Sequence, residues 1–121
     1  MKHRFFLRTL MAVAFGAILC VPTSWAAQSQ PQQIEIVAKR FEYMPSVITL
    51  KEGVPVVLML TSKDVAHGLK FKELGLNIKA KKGTTSKVTF TPEKTGTFVG
   101  ECSVFCGSGH GSMKLTLRVT E

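Results

Sequence analysis

The sequence lacks the residues from which hydrolytic active sites are usually built. Its 121 residues include 16 lysines and arginines but only 8 acidic residues, and Asp64 is the only aspartate. We find no Ser-His-Asp set and no glycine-rich phosphate-binding loop. We therefore expect a protein that is not itself an enzyme.

The sequence also lacks an apolar run of the roughly 18 residues that a membrane-spanning helix needs. Its longest run, residues 10–21, has about 12 residues and follows a basic N-terminus. Ser24 and Ala26 are small residues spaced as in a cleavage site, so residues 1–26 are predicted to be a secretory signal peptide. The protein is then periplasmic or secreted. The alternative is a protein tethered to the membrane by its uncleaved N-terminal segment.

Cysteine is scarce, and the predicted leader contains one of the three. The mature chain keeps Cys102 and Cys106, together with His67 and His110. Its formal charge falls from +8 to +5, because three basic residues lie in the leader. A basic exported domain can contact an acidic protein or an anionic membrane surface. The lysines within residues 79–87 have no aromatic residues between them, so no stacking platform for nucleic acid is predicted.

Residues 27–33 are a polar lead-in, after which apolar and polar residues alternate with a period of two. Predicted strands occupy residues 33–39, 47–51, 54–61, 87–91, 96–101 and 114–119. Turn signals separate the strands, and no long stretch has helical spacing. Residues 34–121 are therefore predicted to form one all-β domain, an antiparallel sandwich or barrel whose end loops are free to carry function.

The segment 100–113, GECSVFCGSGHGSM, concentrates side chains that bind soft metals. Thiolate, imidazole and thioether ligands favour copper or zinc over magnesium or calcium. Zinc would bind the two cysteines, His110 and His67 in a closed tetrahedral site, which leaves Met113 without a role. A thioether suits copper, so Met113 favours copper.

More than one use of these residues stays open. Cys106, His110 and Met113 have the spacing of a mononuclear blue-copper loop, to which His67 would add the second imidazole. Cys102 would then be a bystander. Two cysteines in an exported protein also form disulfides, but the neighbouring histidines and methionine argue for metal binding.

The segment CSVFCGSGHGSM resembles the C-x-x-x-C-x-x-x-H-x-x-M loop of the binuclear CuA centre. That centre occurs in subunit II of haem-copper oxidases and in nitrous oxide reductase. DVAHGL, residues 64–69, resembles the family's segment around its first ligand histidine. The resemblance covers most of residues 34–120 and implies a cupredoxin-like Greek-key β-sandwich.

The resemblance also implies a ligand set for two copper ions. Its six members are His67, Cys102, Val104, Cys106, His110 and Met113. The two thiolates would bridge the coppers, and each imidazole would bind one of them. The thioether and the backbone carbonyl of Val104 would be weak axial ligands. Bridging thiolates share one electron over both ions, which suits a fast one-electron relay.

The chain departs from the oxidase pattern at three points. Val104 stands where oxidase subunits usually have a glutamate that reaches a second metal at the subunit interface. A predicted signal peptide precedes the domain, where oxidase subunit II has transmembrane helices. Residues 27–121 contain no tryptophan, whereas oxidases use aromatic residues to receive electrons from cytochrome c.

The leading hypothesis is an exported one-electron carrier with a binuclear CuA-type centre. Its partners would be redox proteins, such as a cytochrome and a membrane oxidase or reductase. The first alternative is a periplasmic Cu(I)-binding chaperone that delivers copper to a partner during oxidase assembly. The second is a blue-copper carrier with one copper ion.

Overall fold

The computed structural model describes residues 21–27 and 30–121. Most of the predicted signal peptide, residues 1–20, lies outside the described residues, as do residues 28 and 29 of the predicted lead-in. The strands are β1 (Gln32–Lys39), β2 (Glu42–Met44), β3 (Val47–Lys51), β4 (Val56–Ser62), β5 (His67–Phe71), β6 (Leu76–Ala80), β7 (Thr85–Phe90), β8 (Gly96–Glu101) and β9 (Lys114–Thr120). Two short 3-10 turns, Lys72–Leu74 and His110–Ser112, complete the regular structure of the described chain.

The strands form two packed sheets. One has four strands in the order β2-β1-β4-β7, and the other has five in the order β3-β9-β8-β5-β6. The predicted all-β sandwich is therefore confirmed. Its sheets are mixed rather than wholly antiparallel, because β1 pairs with β4 in parallel and β3 pairs with β9 in parallel. Alternating polarity could not reveal this, since parallel and antiparallel strands share the period of two.

Alternation along the strands places the apolar side chains between the two sheets. Along β4 every second residue is buried, and β9 places its leucines inside in the same way. The fully buried leucines are Leu58, Leu60, Leu69, Leu115 and Leu117. Burying one such side chain contributes about 1.5–3 kcal/mol. The core is thus built from the period-two pattern that the sequence displays.

All six predicted strands are present, with ends that differ by at most two residues. Three further strands, β2, β5 and β6, were not predicted. Strand β2 has only three residues, too few to display an alternating pattern. In β5, Gly68 interrupts the alternation because it is buried between two buried neighbours. Tertiary pairing, rather than local pattern, selects these segments as strands.

The connections at one end of the sandwich are gathered around the segment 102–113. This segment joins β8 to β9, which are paired antiparallel up to Glu101 and Lys114. Strand β5 lies beside β8 and begins at this end with His67. The turn after β1 and the loop after β4 meet here too, since Lys63 donates its backbone N–H to the carbonyl of Ala38. The fold thereby brings four chain segments together at one end.

Candidate metal centre

The centre of this end is a buried cluster of one imidazole and two thiols. One ligand atom from each of His67, Cys102 and Cys106 lies within 4.8 Å of the others. The two Sγ atoms are 3.6 Å apart, far beyond the roughly 2.05 Å of a disulfide. Both cysteines are free and buried. The thiols are therefore available to a shared ligand.

The other predicted site residues surround this cluster. His110 places Nδ1 3.8 Å from Sγ of Cys106, and Met113 places Sδ 3.8 Å from the same sulfur. The carbonyl oxygen of Val104 lies 3.1 Å from Sγ of Cys102. The structure thus brings all six predicted residues together, although their role as metal ligands stays a prediction.

His67 is oriented by a carboxylate that the sequence analysis did not assign to the site. Its Nε2 lies 2.7 Å from Oδ1 of Asp64, and its ring is completely buried. The opposite ring nitrogen, Nδ1, is buried without a hydrogen-bond partner. A carboxylate on one nitrogen and an open second nitrogen is the usual arrangement of a metal-binding histidine. The D-x-x-H spacing was the available signal.

Asp64 is in turn held by the turn that follows β1. The backbone N–H of Arg40 donates to Oδ2 of Asp64 at 2.7 Å, and the N–H of Val65 donates to Oδ1 at 2.8 Å. Partial desolvation acts to raise the pKa of this carboxyl. The hydrogen bonds from Arg40, His67 and Val65 outweigh desolvation and lower the pKa to about 2. Asp64 is therefore an anion at neutral pH.

The same turn also contacts the ligand loop. Nε of Arg40 donates to the carbonyl of Cys106 at 3.0 Å. The ring of Phe41 lies against the backbone of Gly107 and Gly109, where an added Cβ atom would come within 2.9 Å and 2.4 Å of ring atoms. Glycine is needed here because a side chain would displace that ring. Sequence reasoning missed Arg40 and Phe41, which are remote from the loop along the chain.

Burial controls the protonation of the thiols. Desolvation, followed by the hydrogen bond and the charge of Cys102, raises the pKa of Cys106 to about 11. Tyr43 lies on the core side of the site and donates its hydroxyl to the carbonyl of Gly68. Desolvation and then the neighbouring Cys102 raise the pKa of Tyr43 well above its usual range. A metal cation would therefore displace protons when it binds these thiols.

The outer side of the site carries an exposed aromatic residue. Phe105 is 79% exposed, and its ring centroid is 5.6 Å from that of the half-buried His110. His110 begins a short 3-10 turn between Gly109 and Met113. The imidazole nearest to solvent thus sits beneath an exposed phenylalanine.

A family model for the periplasmic domain of cytochrome c oxidase subunit II matches residues 9–120. The chain belongs to this family. A cytochrome c oxidase subunit 2 from Thermus thermophilus is 31% identical over 102 residues, which make up 83% of this chain and 76% of that protein. A second subunit 2, from a named strain of the same species, has the same identity over the same length. The chain spans 61% of that second relative.

Solved structures agree with this membership. The chain is 26% identical to a haem-copper terminal oxidase structure, with a TM-score of 0.67 over 84% of this chain and 77% of the other. The periplasmic domain of cytochrome oxidase subunit II from Bradyrhizobium japonicum shares the fold, with a TM-score of 0.69 and 22% identity. That match covers 74% of this chain and 84% of the other. The predicted cupredoxin-like fold and the resemblance to oxidase subunit II are both confirmed.

Family membership also bears on location. A family of periplasmic domains indicates a periplasmic or membrane-anchored protein. Within the described part of the chain, neither helical turn has the length and apolar character required to cross a bilayer.

The residues at the site fit copper. Two thiols, two imidazoles and a thioether form a soft donor set, which favours copper among the common metals. The unpartnered Nδ1 of the buried His67 supplies an independent test, because a buried polar atom without a partner is costly unless something binds it. The fold and the His67, Cys102 and Cys106 cluster thus support copper binding.

Proposed function

We propose that this subunit II-type domain carries one electron at a binuclear CuA-type copper centre. The observation that carries the proposal is the pair of free thiols, Cys102 and Cys106, with sulfur atoms 3.6 Å apart. Two thiolates at this separation suit two bridging ligands better than one ligand and a bystander. An imidazole lies on each side of the pair, supplied by His67 and His110.

Each residue has a distinct task in this proposal. Cys102 and Cys106 would bridge the ions, His67 would bind one through Nδ1, and His110 would bind the other. The thioether of Met113 and the carbonyl of Val104 would be the weak axial ligands. When bound, the two coppers would supply reversible one-electron chemistry.

The protein contributes a site whose shape is fixed before any metal arrives. His67 is positioned by Asp64, and the loop backbone is held by Arg40 and Phe41. Burial of Cys102, Cys106 and Met113 excludes water from the sulfur atoms. A fixed ligand set limits the movement that accompanies a change of oxidation state, and this favours electron transfer over substrate chemistry. We therefore propose a carrier that is not itself a catalyst.

The proposed setting is the periplasm, with a redox protein on each side of the transfer. Cleavage after Ala26 would release the domain as a periplasmic or secreted protein, and an uncleaved leader would tether it to the membrane. A cytochrome and a membrane oxidase or reductase are the expected classes of partner.

Copper handling is the second candidate function. The free, buried thiols beside a thioether also suit Cu(I), so the site could hold the ion for delivery to an oxidase partner. Reversible oxidation and reduction of the loaded protein separates the two candidates, because a delivery protein would pass Cu(I) to an acceptor without it.

The decisive experiment measures copper per chain together with the low-temperature electron paramagnetic resonance spectrum after anaerobic loading of the reduced protein. Two coppers per chain that share one unpaired electron would support the CuA-type carrier. One copper with a four-line pattern would instead indicate a blue-copper site, and a silent sample that retains Cu(I) would indicate delivery. Cys102→Ser is the matched variant. It should abolish the shared-electron spectrum, whereas a mononuclear site would keep its colour.

A further inference from the structure

The outer face of the five-stranded sheet carries most of the positive charge of the domain. Its outward-facing cations lie on four different strands: Lys51, Lys70, Lys79, Lys114 and Arg118. Glu101 is the one carboxylate among the described outward-facing residues of this sheet, and Lys114 is its partner at 3.4 Å. We call this surface the basic face. Its net charge is +4, against +5 for the whole predicted mature chain.

The outer face of the four-stranded sheet is different. Its outward-facing charges are Glu35, Glu42, Lys39 and Lys87, which cancel. Lys39 and Glu42 form an ion pair at 2.9 Å. The positive charge is therefore segregated to one side of the sandwich rather than spread evenly over it.

An exposed apolar row crosses the middle of the basic face. Val47 and Val99 both pair with Thr116, one from each side, so the three side chains stand in line. Val47 is 46% exposed and Val99 is 50% exposed. Protein interfaces have this anatomy, with an apolar centre inside a polar and charged rim.

Cations flank the apolar row on both sides. On one side, Lys114 pairs with Glu101, and Glu101 pairs with Lys70. On the other side, Arg118 pairs with Thr97 and with Thr49. The valines are thus enclosed by a rim that is positive on both sides and would attract an acidic surface.

The basic face extends to the candidate metal centre. A depression of about 320 Å³ is lined by Lys70, Lys72, Val99, Glu101, Cys102 and Ser103. Ser103 lies directly over Gly68 on the outer side of β5, and its hydroxyl donates to Oδ1 of Asn77 at 2.8 Å. The segment that contains Cys102 is therefore part of the rim of this surface. A partner docked on the basic face would contact a residue of the metal site.

We propose that the basic face is the docking surface for an acidic redox protein, which exchanges electrons with the centre at the edge beside Cys102. This proposal rests on the proposed electron-carrier function for the chemistry of its partner. A protein is favoured over a lipid surface because the apolar row consists of short side chains. Membrane-surface segments insert longer groups such as Trp, Phe and Leu.

The test is titration with an acidic c-type cytochrome of net negative charge, followed by amide chemical-shift mapping at ionic strengths from about 10 to 200 mM. We expect shifts centred on β8, β9 and the Cys102–Ser103 segment, and an affinity that falls steeply with salt. The metal-free protein serves for the mapping. Binding is then measured even if the copper centre differs from the one proposed, so failure of the carrier function and failure of the docking surface are distinguishable.

Two double charge reversals provide the comparison. Lys79→Glu with Arg118→Glu changes the basic face at positions distant from the ligand residues, and should weaken binding roughly tenfold or more. Lys63→Glu with Lys87→Glu makes the same change in net charge outside the basic face, and should weaken it less than about threefold. Val99→Thr keeps the β-branched shape but makes the apolar row polar, and should cause a loss of about two- to fivefold.

Three results would overturn the proposal. The first is equal weakening by the two double variants, which would show that only net charge matters. The second is absence of association between the unchanged protein and the acidic cytochrome at low salt, or equal binding of a basic cytochrome. The third is binding through the basic face to vesicles that contain phosphatidylglycerol but not to the acidic cytochrome, which would identify a membrane surface instead.

Discussion

The two imidazoles of the site, His67 and His110, reach it by different structural routes. His67 is the first residue of β5, is completely buried and has one ring nitrogen fixed by Asp64. His110 lies on a short 3-10 turn within a loop, is half-buried and has the exposed Phe105 ring beside it. One side of the candidate centre is therefore set by a sheet and its hydrogen bonds, and the other by the path of a loop.

The turn formed by Arg40 and Phe41 links these two sides. Its backbone N–H holds the carboxylate that orients His67, while its side chains hold the loop that contains His110. The difference between the two histidines teaches that a metal site can combine a preset ligand with an accessible one. The accessible side is the natural place for exchange with the surroundings, because His110 is reached from solvent and His67 is not.

The largest expected effect comes from deleting each histidine in turn. His67→Ala and His110→Ala should both abolish the shared-electron copper spectrum. Added imidazole should restore it in His110→Ala, where the vacated position opens to solvent, but not in His67→Ala, where it is sealed. The measurement is an imidazole titration followed by visible absorption and electron paramagnetic resonance. Equal rescue of both variants would contradict the assigned difference in access.

The next effect concerns the carboxylate behind His67. Asp64→Asn removes the acceptor of the Nε2 hydrogen bond, and copper affinity should fall about 10- to 100-fold, as for other groups that orient a ligand histidine. Nitrogen chemical shifts of the metal-free protein should show a change in the tautomer of His67 but not of His110. A change of similar size at His110 would show that the two sides are not independent.

The loop side can be perturbed through Gly109, whose added Cβ atom would meet the ring of Phe41. Gly109→Ala should lower the unfolding free energy of the metal-free protein by about 1–3 kcal/mol, the usual cost of overpacking. Gly111→Ala is the matched control, since nothing lies within 4 Å of its added Cβ, and it should change stability by about 0.5 kcal/mol or less. Urea unfolding measures both. Equal stability of the two variants would remove Phe41 from its role in shaping the loop.

The smallest effect is a pH dependence on the thiol side. Burial, then the hydrogen bond and charge of Cys102, raise the pKa of Cys106 from 9.0 to about 11 in the folded protein. A raised pKa means that the folded state favours the protonated thiol. Its contribution to stability is therefore complete below about pH 9 and is lost as the pH rises towards 11.

Chemical denaturation of the metal-free protein between pH 8 and 11 checks this expectation. The unfolding free energy should decline by about 1 kcal/mol more in the unchanged protein than in Cys106→Ser, which has no thiol at this position. Identical pH profiles for the two proteins would show that Cys106 is not the group responsible.

Much of the fold could be read from the sequence, because its strands bury one face and so display period-two alternation. The strands β2, β5 and β6 were missed where they are short or interrupted by glycine. The parallel pairing of β1 with β4 was also hidden, because pairing direction leaves no mark on the pattern of a single strand. These features depend on which segments meet, and not on the segments themselves.

The chemistry of the site was visible in the sequence for a different reason. Four of its predicted ligand side chains fall within one loop, at a spacing that only the chain order determines. His67 could be included through its surrounding residues, but Asp64 was recognised as a partner only when the ring was seen beside it. Arg40 lies 66 residues before the Cys106 carbonyl that it contacts, and no local pattern indicates that contact.

The sequence by itself determined the class of metal that this protein can bind, because the choice of sulfur and imidazole donors is a property of side-chain chemistry. It also determined the two-layered fold, because alternation specifies which side of each strand is buried. Only the tertiary structure decided which nitrogen of His67 faces the thiols and how one turn holds both sides of the site. It also decided that the basic side chains collect on one sheet, since register and strand order bring together residues that are far apart in the chain.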